Sequence, residues 1–180
     1  MDVDTENRIL QKVEYIQESL VMLGEIRDTT TFATYQQDRR KRDIVEREFQ
    51  TSIEACLDIG SMILRAEGSS VPETNAAVFR TLARSGILTN KVGKKMAEAA
   101  GFRNILTHRY GSNINNRDIF NFLSKELYIF REYLTQIRDF STLRTELNNG
   151  GSRNHSSLNE KTGRLVQSTK TSQTVLNLSS

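Results

Sequence analysis

The sequence predicts an all-α fold: an antiparallel bundle of four main helices plus a short one, followed by a disordered C-terminal tail. Three observations carry that prediction. Apolar residues recur at alternating spacings of three and four through most of the first 147 residues, the signature of amphipathic helices. The 180 residues include one proline and no tryptophan, while Leu, Ile, Glu, Lys and Arg abound, which favours helices over a sheet. No segment alternates at strand period and no internal repeat stands out.

The first helix is expected from about Thr5 to Arg27, with Ile9, Val13, Ile16, Leu20 and Leu23 as its stripe and Asp4 or Thr5 as its cap. Thr29, Thr30 and Thr31 interrupt the pattern. A long second helix runs from Tyr35 or Asp38 to Ala66, and its stripe is Val45, Phe49, Ile53, Cys56, Leu57, Gly60 and Ile63 or Leu64. Gly60 inside it costs about 1 kcal/mol relative to Ala, which points to a close helix approach. Gly68 closes this helix.

Pro72, Glu73 and Thr74 open a short helix through Val78, Phe79, Leu82 and Ala83, which ends at Gly86. Thr89 caps the next, with Val92, Met96 and Ala99 facing inward, and it continues past Arg103, Ile105 and Leu106 before stopping at Gly111. Asn115 or Asn116 caps the last, through Ile119, Phe122 or Leu123, Leu127, Phe130, Leu134 and Ile137. Asn148 to Ser152 then read as a linker, and residues up to Ser180 are too polar to bury a core. The expected division is a helical domain over 1–147 and a disordered polar tail over 148–180.

Composition excludes several classes. The apolar runs are too short to span a membrane, and the acidic N-terminus lacks the apolar stretch of a secretory signal. The single cysteine, Cys56, cannot form an intrachain disulfide and reads as a buried small hydrophobe, so a reducing, cytoplasmic setting is expected. Net charge is +3. Arg153, Lys161, Arg164 and Lys170 against Glu160 account for all of it, so the body is close to neutral. A neutral body argues against a broad electrostatic nucleic-acid binder and allows a local basic groove. Arg39-Arg40-Lys41-Arg42 is the densest basic run of the body. It is a solvated helix face, or a phosphate contact if that end of the helix lies near Arg103.

The chemistry concentrates in Gly101-Phe102-Arg103-Asn104-Ile105-Leu106-Thr107-His108-Arg109-Tyr110-Gly111. A guanidinium holds a phosphate bidentately, and an imidazole moves protons near neutral pH. Those are the two parts a ribonuclease without metal or other cofactor needs. His108 would take the proton of a ribose 2′-hydroxyl or give one to the leaving 5′-oxygen. Arg103 would hold the scissile phosphate and stabilise its added charge. Asn104 could bond the phosphate or orient the imidazole. RNA would be the substrate, because DNA lacks the 2′-hydroxyl.

Arg103 and His108 are about 140° apart on a regular helix. Either the helix ends near Thr107, letting His108 swing back, or a second subunit completes the pocket across a two-fold axis. One histidine in the domain also means that separate base and acid need two copies, a second reason to expect a homodimer. Taken singly, the residues keep plain readings: His108 as a helix cap, Arg103 as a surface cation, Tyr110 as a core phenol.

The segment Arg103-Asn104, three residues, His108-Arg109-Tyr110 resembles the Arg-x4-His-x-Tyr motif of the HEPN superfamily, in its HepT toxin branch. Asp43 to Arg47, Ile53-Glu54-Ala55 with Asp58-Ile59, Pro72, the stretch from Phe79 to Gly86, and Gly101 to Asn104 follow in the family's order over residues 4 to 142. The resemblance implies a dimeric helical bundle that cuts RNA without metal, with Arg103 and His108 as the catalytic pair. It implies as partner an MntA-like minimal nucleotidyltransferase antitoxin, which adenylylates the motif tyrosine, here Tyr110. Arg109 within the motif and Gly111-Ser112-Asn113 after it depart from the family pattern, as does the long polar tail. The alternative is a HEPN module without catalysis that binds RNA or a nucleotidyltransferase as a regulatory subunit.

Overall fold

The computed structural model describes residues 1–108, 115–144 and 146, and for Thr107 and His108 it describes the backbone alone. All regular structure among them is helical. The helices are α1 Val3–Thr29, α2 Phe32–Gln37, α3 Arg39–Ala66, α4 Asn75–Arg84, α5 Asn90–His108 and α6 Asn116–Lys125, with α7 over 127–144. One compact unit spans Met1–Ile137 and a second begins at Arg138. The expected disordered tail lies outside the described residues.

Local chemistry sets most boundaries. Asp2 caps α1 by accepting from the Thr5 N–H at 2.8 Å, so the helix starts earlier than the Asp4 or Thr5 cap expected. Asp38 caps α3 through the Lys41 N–H at 3.1 Å. Gly68 and Gly86 both take positive φ, 71° and 72°, where a side chain would be strained. Each closes its helix with a Schellman pattern, Ser69 N–H to Leu64 O at 2.9 Å and Ile87 N–H to Leu82 O at 3.0 Å. Thr89 caps α5 through the Val92 N–H, and Asn115 caps α6 through the Arg117 N–H.

Two features differ from expectation. The residues after the threonine run form a helix of their own, α2, started by a reciprocal capping box between Thr31 and Thr34. The last helix breaks at Glu126, whose carboxylate is drawn to Lys95 on α5 at 3.0 Å.

Four long rods, α1, α3, α5 and α6–α7, alternate in direction. Lys12 pairs with Asp58, Tyr15 with Thr51 and Ser19 with Glu48, so α1 runs against α3. Phe102 packs on Phe49, whereas Gly93 lies against α4 at the level of Gly60, so α5 also opposes α3. Lys91 with Glu132 and Lys95 with Glu126 set α5 against the last rod.

The close approach anticipated at Gly60 is present. A Cβ there would lie 2.8 Å from Leu82 Cδ1 and 3.2 Å from Val78 Cγ1. Gly93 does the same for α4 and α5, with Ala83 Cβ 2.6 Å from its would-be Cβ. Tyr133, absent from the expected stripe, is fully buried. Its hydroxyl donates to the Cys56 carbonyl at 2.9 Å, which satisfies the polar atom that burial would otherwise penalise. Cys56 is buried as expected, and burial pushes its thiol pKa up. No helix among the described residues is long and apolar enough to cross a membrane.

Candidate active site

α5 carries the candidate residues because its inner face anchors it firmly. Val92, Met96, Ala99 and Ala100 are buried there. Gly93, against Ala83 and the Phe79 carbonyl, lets α5 sit close to α4. Phe102 then stacks on Phe122 at 4.6 Å between centroids and meets Phe49 edge-on at 6.1 Å. Successive residues turn by about 100°, so anchoring Phe102 in this aromatic cluster fixes the direction in which Arg103 leaves the helix.

Arg103 reaches across to α3, where its Nη2 pairs with Glu54 Oε2. The Arg103 side chain is 21% exposed and that of Glu54 is 48% exposed, so the pair is in part exposed to solvent. A pair this exposed contributes at most about 1 kcal/mol to stability, so its consequence is positional. It holds a guanidinium, with fixed charge and a planar fork, in place before any ligand arrives. Asn104 is exposed beside it.

His108 is the last residue described in α5; its side chain and all of Tyr110 lie outside the described residues. The helical backbone passes Thr107, so it does not turn back before His108. On that backbone positions 103 and 108 lie about 140° apart around the helix axis.

The basic run does not meet Arg103. Glu54 marks the level of Arg103 on α3, and Arg39 to Arg42 lie roughly 20 Å further along the axis by helical rise. Lys41 Nζ bonds Thr30 Oγ1 at 3.2 Å, Arg42 bonds the Gln36 carbonyl, and Arg39 pairs with Asp43 at 3.6 Å. Between the run and Glu54, Glu46 is half-buried. Burial, then the nearby Asp43 carboxylate, raise its pKa, while Arg42 opposes the shift.

Glu54 is the residue that sequence reasoning missed as a site component. It belongs to the Ile53-Glu54-Ala55 stretch of the resemblance, but nothing in periodicity separates it from other solvent-facing carboxylates of α3. Only the crossing of α3 and α5 gives it a partner.

Residues 16–137 match the family model described as ribonuclease HepT-like. The chain is 26% identical over 104 residues to the mRNA nuclease HepT of Shewanella oneidensis, covering 58% of this chain and 77% of that protein. The fold is similar to the tri-AMPylated HEPN toxin of Shewanella oneidensis in complex with MNT antitoxin. That similarity has TM-score 0.68 and 22% identity, covering 77% of this chain and 99% of that one. It is also similar to YutE of Bacillus subtilis, a cytosolic protein of unknown function, with TM-score 0.66 and 18% identity, covering 79% of this chain and 92% of that one. At such identities the solved structures establish the fold, and function has to be argued from the site.

Proposed function

This chain belongs to the HepT-like ribonuclease family, and from that premise we propose that it is an endoribonuclease toxin of a toxin–antitoxin pair, cutting RNA with Arg103 and His108. The observation that carries the reading is Arg103 itself: a part-exposed guanidinium paired with Glu54 on the neighbouring helix, five residues before the domain's single histidine. In the reaction, the 2′-oxygen of the ribose attacks the adjacent phosphorus while His108 accepts the 2′-hydroxyl proton. The bond from phosphorus to the 5′-oxygen breaks, and that oxygen takes up a proton. Arg103 stabilises the extra charge of the pentacoordinate phosphate, and the supporting role, toward the phosphate or the imidazole, is assigned to Asn104. Every bond change is supplied by RNA and by proton transfer, so the chemistry requires neither metal nor cofactor.

The products then carry a 2′,3′-cyclic phosphate and a 5′-hydroxyl. Cleavage is expected to persist in EDTA, and a single 2′-deoxy substitution at the scissile nucleotide is expected to stop it. Mass spectrometry of the fragments checks both, and equal cutting of the deoxy-substituted strand would exclude the mechanism.

A base and an acid acting together need two imidazoles, and the helical backbone through His108 supports a site completed by a second copy of the chain. The partner in this reading is an MntA-like nucleotidyltransferase antitoxin that silences the toxin by adenylylating Tyr110. An AMP group on that phenol places bulk and negative charge two residues from His108 and repels the RNA phosphate. Co-expression with such an antitoxin is expected to add one or more AMP units to the intact mass, and Tyr110→Phe is expected to remove that shift. A Tyr110→Phe protein that still gains AMP and is still silenced would reassign the switch.

A further inference from the structure

We propose that the outer face of α3 is a track for single-stranded RNA, leading from Arg103 past Arg47 to Arg40 and ending near the stack of Arg117 on Phe32; the proposal rests on the ribonuclease reading above. α1 packs along one flank of α3, through Thr51 and Asp58, and α5 along the other, through Glu54. Between the flanks, Arg40, Arg47 and Glu54 stand seven residues apart and all three are exposed. A straight helix drifts only about 20° per seven residues, so the three lie on one side of α3 at steps of about 10 Å. Arg103 completes the series at the Glu54 level. The acids on this face are already engaged: Glu54 with Arg103, and Asp43 with Arg39.

Two further observations favour a nucleic-acid occupant. The first turn of α3 carries no acidic residue and holds Arg39, Arg40, Lys41 and Arg42, although cations at a helix N-terminus oppose the macrodipole. Arg39, Lys41 and Arg42 are held by Asp43, Thr30 and the Gln36 carbonyl, so Arg40 is the cation whose placement a polyanion explains and helix stability does not. At the same end of the bundle, the Arg117 guanidinium lies 4.1 Å over the Phe32 ring, and Phe32 and Tyr35 both contact Phe120. Tyr35 is buried and backs this group, while Phe32 and Phe120 are part-exposed; cations beside such rings suit single strands, whose bases stack on rings and guanidinium planes while phosphates meet arginines. α5 runs against α3, so the strand leaving Arg103 along this face moves in the direction in which α5 ends.

The test uses the full chain. In a His108→Ala background, which prevents cutting, the triple variant Arg40→Gln, Arg47→Gln, Arg117→Gln is expected to bind a single-stranded RNA of about 16 nucleotides at least tenfold more weakly. The slope of log affinity against log salt should become shallower by about two, at ~0.7 per lost phosphate contact. With His108 intact, the triple variant's Tm should not fall. Equal affinity and equal salt slope would overturn the track. So would loss of antitoxin binding with RNA binding preserved, because the face would then be a protein interface. Should the triple variant lose stability, Arg40→Gln with Arg47→Gln carries the test alone, since both side chains are exposed. If the parent chain binds RNA through these arginines but never cuts it, the track stands and the ribonuclease reading fails.

Discussion

Replacing His108 with alanine in the full chain is expected to lower RNA cleavage by at least a hundredfold and to abolish toxicity, with the helical content unchanged. A positioned general acid or base is worth about 10²–10⁴ in rate, and removing the single domain histidine removes both roles if two copies share the site. The fold should not suffer, because His108 lies on helical backbone and alanine is the best helix former. The chain's other histidine, His155, lies in the polar tail, so His155→Ala serves as the control and should cleave like the parent. Cleavage by His108→Ala within a few-fold of the parent would sink the assignment. It would leave Arg103 as a binding cation and return the chain to the class of RNA-binding or regulatory modules.

The fold was largely legible in the sequence because helical burial leaves a periodic trace. Ile16, Leu20, Leu23, Val45, Phe49, Ile53, Val92, Met96, Ile119 and Phe130 fall where their spacing placed them, all buried. Gly60, Gly68 and Gly86 were readable because each performs something a side chain would prevent. α2 was harder to see, since six residues are too few to show a period, and its start rests on two threonines that resemble a loop. Tyr133 was missed because its burial depends on a carbonyl of α3, a partner that no local pattern reveals.

The site was legible in part. Arg103, Asn104, His108 and Tyr110 form a short string whose residue types suffice for the chemistry, so they could be chosen without a structure. Glu54 could not, because it is 49 residues from Arg103 in sequence and joins it only when two helices cross. The basic run was legible as charge, but its relation to Arg103 was not. Only the antiparallel course of α3 and α5 shows that it lies beyond contact range and at the far end of a line of exposed arginines.

Phe49→Ala is expected to be the most damaging single truncation near the site, and it joins stability to chemistry. Phe49 is fully buried and touches Phe102, Phe122 and Phe130, with centroid distances of 6.1, 5.0 and 6.3 Å. Removing such a ring costs about 3–5 kcal/mol, which for a domain of this size lowers Tm on the order of 10 °C. Thermal unfolding followed by circular dichroism measures it, and Phe49→Leu should recover part of the loss by refilling volume. Cleavage should fall as well, at temperatures where the variant is still folded. Phe102 is held from below by Phe49, and the bearing of Arg103 depends on Phe102, so a vacancy at Phe49 loosens the guanidinium relative to Glu54. The same variant thus distinguishes two origins of the fixed Arg103. If Phe49→Ala unfolds early but cleaves normally while folded, the Glu54 pair alone sets the guanidinium; if cleavage and Tm fall together, the aromatic cluster is part of the apparatus that aims it.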